Sequence, residues 1–274
     1  MAAPAQPQQK KTLLMTEGSI WKSILLFSVP LILGNLLQQL YNTVDSIVVG
    51  NFVGKEALAA VGSVGPIINS LIGFFMGLST GAGVIISQYY GAKADEKVSR
   101  TVSTTLVMTF ILSIVFTILG ILITPYMLRM MSTPDDVIRE SATYLKIYFG
   151  GVAGLMFYNM GSGVLRAVGD SRHPLYFLIF SAVVNTVLDL LFVVSFGMGI
   201  EGVALATVIA QCLSAVLTLY VLTTTDGPYR ICWKKLCMTV FAVRIVCVGL
   251  PAAIQQMVTS VSNVFVQSYI NVFG

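Results

Sequence analysis

Apolar residues run along this chain in long blocks, each closed by a short polar segment. A helix that crosses a bilayer needs about 20 mostly apolar residues. Six complete blocks of that kind cover residues 23–49, 57–87, 102–123, 144–168, 175–195 and 202–223, and a seventh begins near 243 and runs to 274. The connections are short and polar, most clearly at 91–97, 166–174 and the basic segment 226–235. Thr133-Pro-Asp-Asp over 133–136 predicts a turn, followed by an amphipathic stretch that leads into the fourth block. The pattern predicts an all-α membrane protein.

The polar residues inside the blocks fall at helical spacing. Gln38, Tyr41 and Asp45 are three and four apart and share one face of the first helix, with Asn42 beside them. Ser181, Asn185 and Asp189 form a stripe on the fifth, and Thr207 and Gln211 lie four apart on the sixth. Asp45 and Asp189 are the acidic residues that fall within spans. A charge at mid-bilayer costs about 2.5–3.5 kcal/mol on insertion scales, so such groups face a cavity or a polar partner. The alternative is a purely structural hydrogen bond between helices. Pro30 removes an internal backbone hydrogen bond from the first helix and predicts a kink, as a hinge that moves Asp45 or as a static bend.

Composition agrees with the blocks. Hydrophobic residues make up 56% and charged residues 10% of the chain, against about 25% charged in soluble domains. Mean hydropathy is +0.85, more apolar sequence than a soluble core absorbs. The cysteines (Cys212, Cys232, Cys237, Cys247) form no motif that favours metal or disulfide use over simple apolar packing. Charge distribution carries more than net charge. With the N-terminus inside, twelve of the 16 Lys and Arg residues fall in inside segments, and only Lys55, Arg129, Arg139 and Lys146 fall outside. That bias predicts a cytoplasmic N-terminus. Trp21, Tyr148 and Tyr220 lie near span ends and read as interfacial anchors.

A parallel repeat is faintly visible: Pro30 to Asn42 has the spacing of Pro251 to Asn263. It predicts two lobes. The chain then divides into a cytoplasmic tail (1–19), a six-helix lobe (20–225), a cytoplasmic linker (226–242) and the first helix of a second lobe (243–274).

The helical rise of about 1.5 Å per residue puts Asp45, Asp189 and Thr207 in one half of the membrane, with Asn159 of the fourth span a little deeper. Carboxylate, amide carbonyl and hydroxyl oxygens suit a small hard cation, and the carboxylates equally suit protons. A carboxylate that trades a coupling ion for a cationic substrate is the simplest physical basis for exchange. The expected ion holders are Asp189, Asn185, Asn159 and Thr207, with Asp45 close by, and Gln38, Tyr41 and Gln211 are candidates for the substrate cavity. No nucleophile–base arrangement, phosphate loop or zinc spacing marks an enzyme, and the basic loops need no nucleic acid to explain them.

These residues resemble the multidrug and toxic compound extrusion (MATE) transporters, in the prokaryotic branch related to DNA-damage-inducible protein F (DinF-like). The stretches that carry the resemblance are Pro30 to Gly54, including Gln-Gln-Leu-Tyr-Asn-Thr-Val-Asp-Ser at 38–46; Gly163 to Pro174; and Asn185-Thr-Val-Leu-Asp189 followed by Gly202-Val-Ala-Leu-Ala-Thr207. The resemblance implies twelve helices in two lobes around a central cavity. It implies export of cationic, amphipathic compounds across the plasma or inner membrane in exchange for Na+ or H+, with no further cofactor. It implies a first-lobe cation site at Asp45, Asn159, Asn185, Asp189 and Thr207, and a bending point at Pro30. Family members have about twice as many spans, so the chain is expected to be a fragment, inactive without a second lobe. Related folds act as flippases for lipids or lipid-linked precursors, but two aspartates with no basic residue at cavity depth favour a cationic substrate. A seven-helix receptor requires the opposite orientation. An intramembrane aspartyl protease requires a Gly-x-Gly-Asp signature, whereas the local match, Ala167-Val-Gly-Asp170, falls in a loop.

Overall fold

The computed structural model describes residues 19–130, 133, 137–231 and 240–273, with the backbone alone at 20, 56, 130, 261 and 263–273. The tail up to 18, the turn residues 134–136, Cys232, Cys237, most of the basic linker, the side chain of Asn263 and Gly274 lie outside the described residues. Among the described residues eight α-helices follow one another: α1 (Ile20–Val48), α2 (Lys55–Gly91), α3 (Asp95–Met130), α4 (Ile138–Gly150), α5 (Val152–Ala167), α6 (Arg172–Leu190), α7 (Ile200–Thr224) and α8 (Phe241–Phe273). No strand occurs among the described residues. Six of the helices are long and apolar enough to cross a membrane, and the chain is a multi-pass membrane protein.

The fourth expected span differs. It is a pair of shorter helices, broken where Gly151 leaves helical geometry (φ −101°, ψ 6°). The break frees the Phe149 carbonyl, which accepts a hydrogen bond from Thr117 Oγ1 at 3.1 Å. A Cβ at Gly151 would lie 2.2 Å from Val208 Cγ1, and one at Gly154 2.8 Å from the Cys212 backbone nitrogen. The missing side chains therefore let α5 press its backbone against α7. Helices in lipid associate through such close approach and through interhelical hydrogen bonds, since lipid offers apolar side chains no drive to leave it. Ser79 Oγ donates to the Asn159 carbonyl at 2.9 Å, Ser181 Oγ to that of Ala210 at 3.2 Å and Ser214 Oγ to that of Phe177 at 3.3 Å.

A second glycine seam joins α2 to α8. A Cβ at Gly77 would lie 2.2 Å from Ala253 Cα, and one at Gly81 2.3 Å from Gly249 Cα. α5 is central, touching α2, α3 and α7, whereas α1 packs mainly on α6. Among the described residues, buried apolar side chains fill the interior in three groups, one around Phe75, Leu145 and Met156, one around Ile86, Leu165 and Leu222, and one around Leu78, Met160 and Ile245. Outward faces of α1, α3 and α6 carry exposed residues such as Leu36, Leu122 and Val183. Trp21 and Tyr220 are exposed at span ends, at 78% and 63% of their surfaces, as anchors require. Tyr148 is not an anchor: it is 5% exposed and packs inside on Tyr144. Pro30 lies buried within an unbroken α1, and Pro251 sits within α8.

Candidate functional site

α1 and α6 lie side by side and run parallel. Lys22 and Arg172 line one groove at their starts, the Gly34 backbone faces Leu175 and Leu178 midway, and Asp45 meets Asp189 near their ends. The two carboxylates lie close enough to interact. Both helices give way to a π turn just past these residues, over Val49–Val53 after α1 and Leu191–Ser195 after α6. Each wider turn closes with an i→i−5 bond, Gly54 N to Val49 O and Phe196 N to Leu191 O, both 3.1 Å. Glycines with positive φ, Gly54 at 125° and Gly197 at 64°, then redirect the chain. Such turns concentrate at functional sites.

The polar stripe of α6 is its buried face. Ser181, Asn185 and Asp189 are 6%, 1% and 0% exposed, and Asn185 faces Thr207 of α7, itself 6% exposed. Two orientations of the Asn185 amide fit the density of neighbours. In one, Nδ2 donates to Thr207 Oγ1 at 3.4 Å. In the other, Nδ2 donates to Asp189 Oδ2 at 3.0 Å and the carbonyl accepts from the Thr207 backbone N–H at 3.3 Å. The second is favoured, because it replaces carbonyl–carboxylate repulsion with a charge-assisted bond. Thr207 Oγ1 donates to the Val203 carbonyl at 3.0 Å, and the Tyr41 and Tyr144 side chains lie close enough to interact with it.

The site is rich in acceptors. Asp45 Oδ1 and Asp189 Oδ1 are buried with no hydrogen-bond partner among the described residues, as is Gln211 Oε1 one turn along α7 from Thr207. Buried polar atoms in native proteins are nearly always paired, so orphaned carboxylate oxygens in one pocket mark a place that can hold a proton or a hard cation. Two buried carboxylates this close are stabilised by either one between them.

Asp45, Asn185, Asp189, Thr207 and Tyr41 are thus brought together. Asn159 is not joined to them by a hydrogen bond: its amide donates to the Leu155 carbonyl on its own helix at 2.8 Å. Gln38 reaches Asn42 at 3.5 Å on the more open side of α1. Tyr144 is an addition to the predicted set. Ser141, Tyr144 and Tyr148 form a buried stripe on α4 at spacings of three and four, and that spacing was the available signal. Asp170 and His173, in an expected loop, have their side chains in hydrogen-bonding contact at the start of α6, where Asp170 Oδ1 also accepts the Arg172 and His173 backbone N–H groups, both at 3.1 Å. This is a helix cap.

The MatE family profile matches residues 30–191. Over 264 residues the chain is 34% identical to the probable multidrug resistance protein YpnP of Bacillus subtilis (strain 168), covering 94% of this chain and 58% of that protein. It is 36% identical to the probable multidrug resistance protein YoeA of the same organism over 279 aligned positions, covering 97% of this chain and 58% of that one. A solved structure described as the outward-facing conformation of a multidrug resistance MATE family transporter of the MOP superfamily superposes with a TM-score of 0.87 at 27% identity, covering 95% of this chain and 58% of the other. The chain therefore spans less than three-fifths of the length of the relatives it matches. By sequence and by fold, this chain belongs to the MatE family of multidrug transporters.

Proposed function

We propose that this chain forms the ion-coupling half of a secondary antiporter that exports cationic, amphipathic organic compounds in exchange for Na+ or H+. The observation that carries the reading is the contact between Asp45 and Asp189 inside a buried pocket of oxygen acceptors. A proton or Na+ between the carboxylates neutralises them, and its release leaves negative charge that attracts an organic cation. Alternation of the two occupants is exchange. Asn185 and Thr207 hold Asp189 in place, Tyr41 and Tyr144 close the pocket, and Asn159 adds an amide oxygen if the helices draw closer. Gln38 and Gln211 contribute hydrogen-bonding groups to the substrate path. Pro30 provides the bend that shifts Asp45 relative to Asp189.

Transport on this reading belongs to the full-length protein in the plasma membrane, with the N-terminus cytoplasmic as the Lys and Arg distribution supports. A second lobe, reached through α8, completes the cavity, in keeping with the greater length of the relatives. The multidrug descriptions of those relatives do not favour the flippase alternative.

The test is efflux of a fluorescent organic cation from vesicles containing the full-length protein, under sodium and proton gradients in turn. One gradient is expected to drive efflux, and Asp189→Asn to abolish it. Efflux that follows neither gradient, or survives Asp189→Asn undiminished, overturns the proposal.

A further inference from the structure

The other end of the α1–α6 pair holds a separate feature. A groove of about 440 Å³ is lined by Lys22, Leu25, Leu26, Val29 and Pro30 of α1 and by Arg172 of α6. Both cationic side chains are exposed, and neither forms an ion pair among the described residues. The nearby carboxylate, Asp170, is already engaged by His173 and by the first N–H groups of α6. The helix end is thus capped, and two cations are left converging on one apolar groove.

The order of residues along α1 matters. Lys22 comes first, then Leu25, Leu26 and Val29, each deeper in the bilayer, with Pro30 below them. At about 1.5 Å per residue, Lys22 to Val29 spans roughly 10 Å, the depth from a phosphate to the first segment of an acyl chain. Lys22 and Asp45 are separated by about 35 Å on the same rise, slightly more than the hydrocarbon thickness of about 30 Å. The cations therefore lie at headgroup level, beside the exposed ring of Trp21.

We infer that this groove binds an anionic phospholipid, its phosphate between Lys22 and Arg172 and an acyl chain along Leu25, Leu26 and Val29. Basic pockets between transmembrane helices hold anionic headgroups in this way, and guanidinium adds directional bonds to phosphate oxygens. A free phosphate would use the cations and leave the apolar wall bare. The inference takes from the proposed function only the choice of the cytoplasmic leaflet. A lipid here packs against the Pro30 segment of the helix that carries Asp45, so its occupancy bears on how that helix bends.

Native mass spectrometry of the purified chain in neutral detergent tests this without any gradient or transport, so its outcome is independent of antiport. Phosphatidylglycerol should be retained over phosphatidylcholine of the same chains by roughly tenfold, given two cations near the phosphate. Lys22→Gln with Arg172→Gln should remove that preference. Val29→Trp, which keeps both cations and fills the acyl groove, should also lower retention, and serves if the double variant does not fold. Lys93→Gln with Lys97→Gln, an equal loss of charge on the α2–α3 connection, should leave it intact. Retention unchanged in the groove variants, or lost equally in the loop variant, overturns the inference. Displacement of the lipid by millimolar inorganic phosphate overturns it too, because the site would then be one for free anions.

Discussion

The carboxylates of Asp45 and Asp189, far apart in sequence, come within interacting range where α1 and α6 end side by side. Their contact makes one site of two residues that the spacing of polar positions could only place on two separate helix faces. Neither is positioned by a tight loop. Both ride on helices that widen into a π turn within the next turn of chain, and the rest of the pocket comes from α4 and α7. A relative shift of α1 and α6 would separate the carboxylates without unfolding either helix.

Protons and sodium ions should compete for this pair. A cation bound only by the folded state raises stability with its concentration, by about 2.7 kcal/mol at a hundred times its dissociation constant. As pH falls, protons occupy the carboxylates and the cation is displaced, so sodium-dependent thermal stabilisation should shrink toward acid pH. Melting curves of the purified chain across a grid of sodium and pH check this. A sodium effect of constant size from pH 5 to 8 would argue against a carboxylate site.

Gly151 should matter more to the site than its distance in sequence indicates. A Cβ there lands 2.2 Å from Val208 Cγ1, next to Thr207. Gly151→Ala should cost about 1–3 kcal/mol, as overpacking generally does, and weaken cation binding by displacing the Thr207 hydroxyl. Val208→Ala in the same chain should restore much of both. Thermal denaturation with and without the second substitution measures the coupling, and strictly additive effects would show that the contact is not the cause.

The α2–α8 seam predicts a different failure. Gly77→Leu places a side chain where the Ala253 backbone lies at 2.2 Å, and backbone cannot rotate away. α8 should detach while the α1–α7 bundle keeps its packing. Cysteines at Tyr89 of α2 and Arg244 of α8, whose side chains meet across the two helices, report this: cross-linking between them should be efficient with Gly77 present and fall severalfold in the variant. Equal cross-linking in both would mean that the seam tolerates bulk.

Much of this was legible before the structure. Block lengths gave the spans, and the Ser181, Asn185, Asp189 stripe identified the face of α6 that is buried. The fourth block predicts a continuous span because adjacent glycines within an apolar block look like packing positions, and the break shows only in the backbone angles of Gly151 and the Thr117 bond to the Phe149 carbonyl. Tyr148 departs from expectation for a related reason: an aromatic near a span end is an anchor or a core residue depending on rotation, which one helix alone does not fix. Tyr144 went unnoticed in the pocket because its own hydroxyl gives no sign of Thr207 on another helix. The π turns have no strong sequence mark beyond their closing glycines.

Sodium binding to the purified chain, in single and double aspartate variants, tests the shared site most directly. Wild type should bind one ion per chain, and Asp45→Asn and Asp189→Asn should each abolish binding, the double variant adding nothing further. Two independent ions, or an Asp45→Asn variant that binds like wild type, would contradict a site made by the two carboxylates together.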